Sequence, residues 1–328
     1  MVTSVTGLEL FAGAGGLALG LEQAGVQHLA VVEKDTVCCR TLRMNRPDWN
    51  VIEADICSVN FTEYRGMVDL VSGGVPCQAF SYAGKRLGFG DTRGTLFAEF
   101  ARCLLQVQPK MFLFENVKGL LSHDKGRTFA TIRETFQQLG YSTEYWVLNA
   151  CFYGVGQKRE RLILVGIRND LTKQLCFVYP EAEADPTVLR DVLQDCPKSE
   201  GQLFSEKKRQ VMELVPPGGC WVDLPENIAK AYMGKSYYSG GGRRGMARRI
   251  SWDEPCLTLM TSPSQKQTER CHPDETRPFT VREYARIQSF PDDWIFCGTV
   301  SEQYRQIGNA VPVELARRIG LSVMDTLE

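Results

Sequence analysis

The sequence lacks the features that would place the chain in a membrane. No apolar run approaches the roughly 20 residues that a helix needs to span a bilayer. Residues 1–5 have neither the basic start nor the apolar core of a signal peptide. These absences exclude a helical membrane protein and favour a cytoplasmic protein with no membrane partner.

Metal-binding patterns are also missing. The twelve cysteines include no Cys-x-x-Cys pair, and the three histidines are scattered at positions 28, 123 and 272. We therefore expect no metal site. A chain of this length without a secretion signal keeps its thiols reduced, so a reactive cysteine has to be identified from its local setting.

The net charge of -1 gives the whole chain no surplus of positive charge for nucleic acid. The distribution is uneven, however. Residues 235–249, the basic segment, contain one lysine and four arginines but no acidic residue, and include three consecutive glycines. A solvated loop and a nucleic-acid contact are both open for this segment.

Short apolar runs alternate with helix-like stretches over residues 7–169. The predicted strands are residues 7–11, 29–33, 50–53, 68–72, 111–115, 142–148 and 162–166, and the predicted helices include residues 16–24, 37–45, 96–106 and 128–139. Such alternation is typical of an α/β fold with a mostly parallel sheet and helices on both faces. The right-handed crossover rule favours a doubly wound, Rossmann-like topology over residues 1–180.

The character of the sequence changes after residue 175. Prolines and glycines interrupt the chain, which predicts a smaller, irregular, strand-rich second domain at residues 181–280. Residues 281–290 are predicted as a helix ended by Pro291, and residues 313–326 as a terminal helix. We expect a hinge at residues 281–305 and a C-terminal segment, 306–328, that returns to the first domain.

A glycine-rich turn joins the first predicted strand to the first predicted helix. It contains Gly13, Gly15 and Gly16, and such a turn lets a ligand approach the backbone and the helix N-terminus. The third glycine of the dinucleotide fingerprint is missing, so a nucleoside cofactor fits better than NAD. Glu33 and Asp55 follow the next two strands, where they could bind a ribose diol and an adenine amine. Exposed helix caps are the alternative for both.

A cysteine, Cys77, lies in a tight loop at the same edge of the predicted sheet. Glu115 ends the neighbouring strand. The apolar residues 112–114 before it would raise the pKa of the Glu115 carboxyl group and keep it able to donate a proton. Arg159 and Arg161 lie two apart before the last strand, so we expect them on one face, where they could hold a carboxylate, a nucleobase carbonyl or a phosphate. The alternatives are an inert thiol, a solvated carboxylate and a solvated charge run.

Six motifs, in order along the chain, resemble those of bacterial DNA cytosine-C5 methyltransferases of the restriction-modification type. They are FAGAGG at residues 11–16, PCQ at 76–78, ENV at 115–117, QKRER at 157–161, REYARIQSFPD at 282–292 and GNAVP at 308–312. One small departure is Val75, where the family often carries Pro or Phe. The resemblance implies methyl transfer from S-adenosylmethionine to C5 of a cytosine in a specific duplex DNA site.

The resemblance also implies roles for the catalytic residues. Cys77 attacks C6 of cytosine, because C5 becomes nucleophilic only after a thiolate has added there. Glu115 hydrogen-bonds or protonates N3, Arg161 holds the carbonyl O2, and Arg159 supports the Cys77 region. The target nucleotide has to be flipped out, since this chemistry is impossible inside a stacked duplex.

Further residues are implied by the same resemblance. Those that line the cofactor site are Phe11, Gly13, Gly15, Gly16, Glu33, Asp55, Pro76, Leu96 and Asn309. Residues 81–94 resemble the mobile loop that closes over the flipped base, and residues 181–280 resemble the target-recognition region. The implied DNA contacts are Lys85, Arg86, Arg93, Arg243, Arg244, Arg248 and Thr258.

The expected partner is double-stranded DNA. The resemblance further implies a monomer and a cognate restriction endonuclease that acts on the same site without a stable complex. A tRNA cytosine-C5 methyltransferase is the alternative, because a tRNA-modifying branch shares the catalytic core, although chain length and motif spacing favour DNA. A non-catalytic DNA-binding relative is disfavoured, since it has no need for Cys77, Glu115, Arg159 and Arg161 together.

Overall fold

The computed structural model describes residues 4–76, 96–238, 245–265 and 268–328. Its strands are β1 (Thr6–Leu10), β2 (Gln27–Glu33), β3 (Val51–Glu53), β4 (Leu70–Gly74), β5 (Met111–Val117), β6 (Tyr141–Asn149), β7 (Gln157–Lys158), β8 (Glu160–Arg168) and β9 (Cys256–Leu257). Its helices are α1 (Gly16–Ala24), α2 (Thr36–Asn45), α3 (Leu96–Val107), α4 (Arg127–Gln138), α5 (Leu189–Leu193), α6 (Glu206–Glu213), α7 (Glu226–Met233), α8 (Val281–Ile287), α9 (Val300–Asn309) and α10 (Val313–Leu327).

The chain divides into two compact units. The first holds Met1–Asn149, Glu160–Ala182 and Val311–Glu328, and the second holds Ala150–Arg159 and Glu183–Ala310. Residues 150–159, which the sequence placed in the first domain, thus belong to the second unit. Residues 281–305, predicted as a hinge, contain α8 and the first part of α9 and also lie in the second unit.

Seven strands of the first unit form one sheet in the order β3-β2-β1-β4-β5-β8-β6. The five from β3 to β5 are parallel, and β8 runs antiparallel to both its neighbours. The prediction of a mostly parallel sheet is confirmed. The reversal of β8 follows from the short connection after β6, because a parallel pair needs a crossover of a dozen or more residues.

The strand order reverses direction between β1 and β4. From β1 the chain steps to β2 on one side, and from β4 it steps to β5 on the other. Right-handed crossovers that step in opposite directions place α1 and α3 on opposite faces of the sheet. The carboxyl ends of β1 and β4 therefore form a topological switch point, where open α/β sheets bind their ligands.

Aromatic rings fill the core on the α3 face. Phe100 of α3 and Phe136 of α4 pack against Phe112 and Phe114 of β5, with ring centroids 4.4 to 6.1 Å apart. Each ring buries a large apolar area, and edge-to-face pairs add stability. Gly166 of β8 leaves space for this cluster, because a Cβ there would lie 2.0 Å from the Phe112 ring.

The second unit differs from the strand-rich domain predicted for residues 181–280. Within the described ranges its only ladder is the two-residue pair of β7 and β9, supplemented by isolated bridges at Cys271. Helices α5 to α9 provide most of its regular structure, and a small apolar core forms around Met212 and Val215. The short apolar segments that suggested strands are too few and too widely separated to pair.

The end of α8 was also predicted imperfectly. The helix stops at Ile287, before the predicted residue 290, because Ser289 adopts a left-handed φ of 59°. The amide of Phe290 then donates to the carbonyl of Ala285, which closes the helix ahead of Pro291. No helix within the described parts of the chain is long and apolar enough to cross a membrane.

We predict that Gly20→Ala destabilises the first unit. A Cβ at Gly20 of α1 would lie 2.4 Å from both the Val313 carbonyl oxygen and the Ala316 Cβ of α10. The helix-propensity gain of about 1 kcal/mol is smaller than the overpacking cost of about 1–3 kcal/mol, so the free energy of unfolding, measured in urea, should fall. Gly119→Ala is the control, because its nearest neighbour would be 3.9 Å away. Equal stability of the two variants would contradict this packing.

Candidate active site

The glycine-rich turn leaves β1 at the switch point and is shaped by left-handed residues. Phe11, Gly13 and Gly15 have φ values of 57°, 55° and 87°, and Gly16 begins α1. The amide of Gly15 donates to the carbonyl of Ala12 at 2.9 Å, which closes the turn. A Cβ on Gly13 would meet nothing within 4 Å, so open space lies beside this backbone, as a nucleoside cofactor requires.

Glu33 ties this turn to the end of β2. Its Oε2 accepts from the amide of Gly13 at 2.8 Å, and its Oε1 accepts from the amides of Lys34 and Asp35, each at 2.8 Å. Each carboxylate oxygen can accept more than one hydrogen bond. The same side chain can therefore order the turn and bind a hydroxyl group.

Asp55 follows β3 and caps the short 3-10 turn Ile56–Ser58. Its Oδ1 accepts from the amide of Cys57 at 3.0 Å, and this bond lowers the pKa of the Asp55 carboxyl group. Asp55 thus has the capping geometry that the sequence left as an alternative. Its place at the carboxyl end of a parallel strand still suits a base-binding group.

The chain continues from β4 to Val75 and Pro76 before it leaves the described residues. Cys77, the predicted nucleophile, lies outside them. Asn116 Nδ2 donates to the carbonyl of Val75 at 2.8 Å. Asn116, near the end of β5, thus fixes the chain two residues before Cys77 in sequence. Pro76 is exposed and Val75 is buried.

Glu115 and Arg161 form a buried ion pair. Arg161 Nε donates to Glu115 Oε1 at 2.8 Å, and the exposed fractions of the two side chains are 11% and 10%. Arg161 also donates to the carbonyl of Glu160 at 2.8 Å. The sequence predicted an apolar surrounding for Glu115; the structure adds a guanidinium group that stabilises the ionised carboxylate.

The backbone of Gly74 lies directly beneath the other carboxylate oxygen. A Cβ at this position would lie 2.8 Å from Glu115 Oε2, and Gly74 pairs with Glu115 in the register of β4 and β5. Glycine is therefore needed for close approach and not for a left-handed turn. The carboxyl group of Glu115 thus lies close to the backbone of Gly74, which precedes Cys77 by three residues in the sequence.

Arg159 belongs to a different unit from Arg161, although the sequence predicted both on one face. It lies between β7 and β8 and in the second unit, whereas Arg161 lies in the first. Its guanidinium group donates to the carbonyls of Leu259, Gly308 and Ala310 at 2.9 to 3.2 Å. The break in the strand at Arg159 removes the regular alternation on which the same-face prediction depended.

The predicted DNA contacts are only partly described. Lys85, Arg86, Arg93, Arg243 and Arg244 lie outside the described residues.

Of the two DNA contacts that are described, Arg248 has to be corrected. Its Nη2 donates to both carboxylate oxygens of Glu254 at 2.6 Å, and the Arg248 side chain is 12% exposed. Because the guanidinium group of Arg248 is already paired with Glu254 inside the second unit, it is not expected to contact DNA. Thr258 is half-buried, and its hydroxyl donates to the carbonyl of Lys158 at 2.7 Å.

The two remaining predicted cofactor residues lie at helix ends. Leu96 begins α3 in the first unit and packs against its core, whereas Asn309 is the exposed last residue of α9 in the second unit. Within the described ranges no group of histidine, cysteine and acidic residues could hold a metal ion.

Sequence reasoning missed Glu9, an acid inside the sheet. Glu9 is 1% exposed and accepts a hydrogen bond from Ser72 of the neighbouring strand β4. Burial, assisted by the nearby charge of Glu115, raises the pKa of Glu9 to about 8 against the opposing effect of the Ser72 bond. The sequence signal was an acid flanked by Leu8 and Leu10, since central strands of parallel sheets are buried on both faces.

Comparisons with known proteins point to one family. A family model for C-5 cytosine-specific DNA methylases matches residues 5–325. Type II methyltransferase M.Sau96I of Staphylococcus aureus is 61% identical over 324 residues, which are 97% of this chain and 75% of that protein. Type II methyltransferase M.Eco47II of Escherichia coli is 57% identical over 331 residues, 98% of this chain and 79% of its own length.

The solved structures agree on the fold. A prophage-encoded Escherichia coli protein assigned as a DNA modification methyltransferase superposes with a TM-score of 0.73 over 99% of both chains. Its sequence is 24% identical, so this likeness shows the shared fold alone.

We predict that Glu9 makes the stability of the protein depend on pH. Because its folded-state pKa is raised from 4.5 to about 8, the folded state holds a proton that the unfolded state loses, and the free energy of unfolding should fall as pH rises from about 5 to 8. Glu9→Gln should remove this loss, on the order of 3 kcal/mol, in urea unfolding at both pH values. The exposed control Glu63→Gln should leave it in place. Parallel pH profiles for the wild type and Glu9→Gln would contradict the assignment.

Proposed function

Because the chain belongs to the family of C-5 cytosine-specific DNA methylases, we propose that Cys77 is the nucleophile with which it methylates cytosine. The protein is a DNA cytosine-C5 methyltransferase of the restriction-modification type and uses S-adenosylmethionine. One observation carries the proposal: Glu115 is held over Gly74, at the start of the loop that contains Cys77, by a buried ion pair with Arg161.

The proposed reaction begins at C6 of a flipped-out cytosine. The Cys77 thiolate forms a bond to C6, and the electron pair of the C5–C6 double bond becomes available at C5. Glu115 is ionised in its ion pair with Arg161, so it has to take up a proton when the cytosine binds. It then gives that proton or a hydrogen bond to N3, which offsets the charge that develops in the ring. Arg161 orients Glu115 and has further donors for the carbonyl O2, because a guanidinium group carries five N–H donors. Once C5 carries the methyl group, a base removes the C5 proton. The electron pair of that C–H bond re-forms the C5–C6 double bond, and Cys77 leaves as a thiolate.

The described residues fit the cofactor. S-adenosylmethionine supplies an electrophilic methyl group to C5. Glu33 would bind the ribose hydroxyls and Asp55 the adenine amine. The open space beside the backbone at Gly13 supports room for the nucleoside. Phe11, Gly15, Gly16, Pro76, Leu96 and Asn309 complete the proposed cofactor residues.

DNA contacts are proposed for residues of both units. Lys85, Arg86 and Arg93 would contact DNA from the loop that closes over the flipped base, and Arg243 and Arg244 from the basic segment. The Thr258 hydroxyl would turn from the carbonyl of Lys158 to the sugar-phosphate backbone. Arg248 is withdrawn from this set because of its ion pair with Glu254.

DNA is the substrate rather than tRNA, since the relatives at 57% and 61% identity are Type II methyltransferases. We further propose that the protein acts as a monomer in the cytoplasm. There it would protect a DNA site from a cognate endonuclease with which it forms no stable complex.

DNA that carries 5-fluorocytosine at the target should trap the enzyme through Cys77. Fluorine at C5 cannot leave as a proton does, so the bond between sulfur and C6 should persist. Denaturing electrophoresis should show a stable complex for the wild type and none for Cys77→Ser. The exposed Cys57→Ser variant is the control and should be trapped like the wild type. A complex that survives in Cys77→Ser would refute the proposal.

Glu33→Gln should weaken cofactor binding by about tenfold or more, which is the loss of one charge-assisted hydrogen bond. Calorimetry with S-adenosylhomocysteine measures this change, and Glu53→Gln, at the end of the neighbouring strand, should leave the affinity unaltered. To separate ribose binding from ordering of the turn, the same titration uses the 2′-deoxy analogue. The wild type should bind the 2′-deoxy analogue more weakly than S-adenosylhomocysteine. Glu33→Gln, which has already lost the contact with the ribose, should bind the two ligands with similar affinity. An equal additional loss in both would overturn the ribose role.

A further inference from the structure

Gln157 and Gln288 form a buried chain of hydrogen bonds within the second unit. The amide of Leu259 donates to Gln157 Oε1 at 2.8 Å, and Gln157 Nε2 donates to Gln288 Oε1 at 3.0 Å. Gln288 Nε2 then donates to the carbonyls of Ile307 and Ala310 at 2.8 and 3.2 Å. Both glutamine side chains are fully buried, so each of these bonds forms away from competing water.

The peptide groups of Leu259 are held on both sides. While Gln157 accepts from its amide, Arg159 donates to its carbonyl at 3.2 Å. The next carbonyl, of Met260, accepts from the Tyr284 hydroxyl at 3.1 Å. Side chains thus replace the ladder that a longer β-strand would have supplied, since β7 and β9 pair over only two residues.

Removal of Gln157 would leave a buried amide without its acceptor. A buried donor that loses its partner costs about 1–3 kcal/mol, so residues 258–260 would shift to find another partner. Thr258 directly precedes Leu259 and is itself fixed by its bond to the carbonyl of Lys158. Its hydroxyl group and neighbouring backbone therefore depend on Gln157 for their position.

We propose that Gln157 is a positioning residue for DNA binding: it anchors the buried Leu259 and thereby sets the preceding residue, Thr258, in the conformation that meets the sugar-phosphate backbone of the target. The inference rests on the proposed function, which assigns Thr258 to DNA. A hydroxyl group is a usual neutral donor to phosphate oxygens. Its single hydrogen can rotate, so the Thr258 hydroxyl can turn from the carbonyl of Lys158 to a phosphate oxygen when DNA binds. A segment that is ordered before binding pays less conformational entropy when DNA arrives. Gln157 itself is buried and acts through the segment that it holds.

The test compares Gln157→Asn, which keeps the amide but withdraws it from Leu259, with Gln306→Leu. Gln306 is another buried glutamine of the second unit, and its Nε2 donates to the carbonyl of Cys297. Both variants are titrated for active enzyme with 5-fluorocytosine DNA. Binding of unmodified duplex is measured by fluorescence anisotropy, and KM and kcat by labelled methyl transfer.

Gln157→Asn should raise the Kd and the KM for DNA by about tenfold, with kcat per active molecule changed less than twofold. Gln306→Leu should change neither the Kd nor the KM. A double-mutant cycle adds the expected link to Thr258: the effects of Gln157→Asn and Thr258→Val on the Kd should be less than additive, because both act on the same contact.

Two results would overturn the inference. One is an unchanged Kd in Gln157→Asn, and the other is full additivity with Thr258→Val. Gln157→Met serves if the asparagine variant does not fold. Failure of the proposed function would appear differently, as an absence of the covalent trap in the wild-type enzyme.

Discussion

The buried ion pair between Glu115 and Arg161 constrains the architecture of the first unit. Two charges removed from water are stable only when they are paired closely, so the chain has to bring both to one place. Glu115 comes from the carboxyl end of a parallel strand, β5. Arg161 reaches the same edge because β8 runs in the opposite direction, which puts the first residues of β8 beside the last residues of β5. A parallel β8 would have delivered Arg161 to the other edge of the sheet.

The same pair places a demand on β4. The carboxylate of Glu115 lies so close to Gly74 that a side chain at this position would collide with it. The side-chain amide of Asn116 donates to the carbonyl of Val75, the residue that follows Gly74. Strand direction, a missing Cβ and one amide therefore act together. They fix the acid, the guanidinium group and the start of the loop of Cys77 within the first unit before any substrate is bound.

The sequence predicted the sheet well because buried parallel strands leave a strong pattern. Strands β1 to β6 and helices α1 to α4 lie within a few residues of their predicted positions, and the glycine turn, Glu33 and Glu115 occupy the predicted strand ends. The prediction was weaker where tertiary contacts decide. The ion pair of Arg248 with Glu254 depends on how the chain turns between these two residues, and Arg159 binds carbonyl groups that lie 100 to 151 residues further along the chain. The capping boxes at Thr280 and Thr299 were a local signal that could have identified α8 and α9 in the presumed hinge.

The contacts of Arg159 bear on how the second unit could be exchanged between relatives. A chimaera that transferred only residues 183–310 would keep the host's residues 150–159, although their arginine and glutamine bind carbonyl and amide groups of the transferred part. The graft would then meet a foreign set of hydrogen-bond partners in its interior. The exchangeable cassette therefore consists of two stretches of sequence, and the junction of the shorter one falls between Arg159 and Glu160.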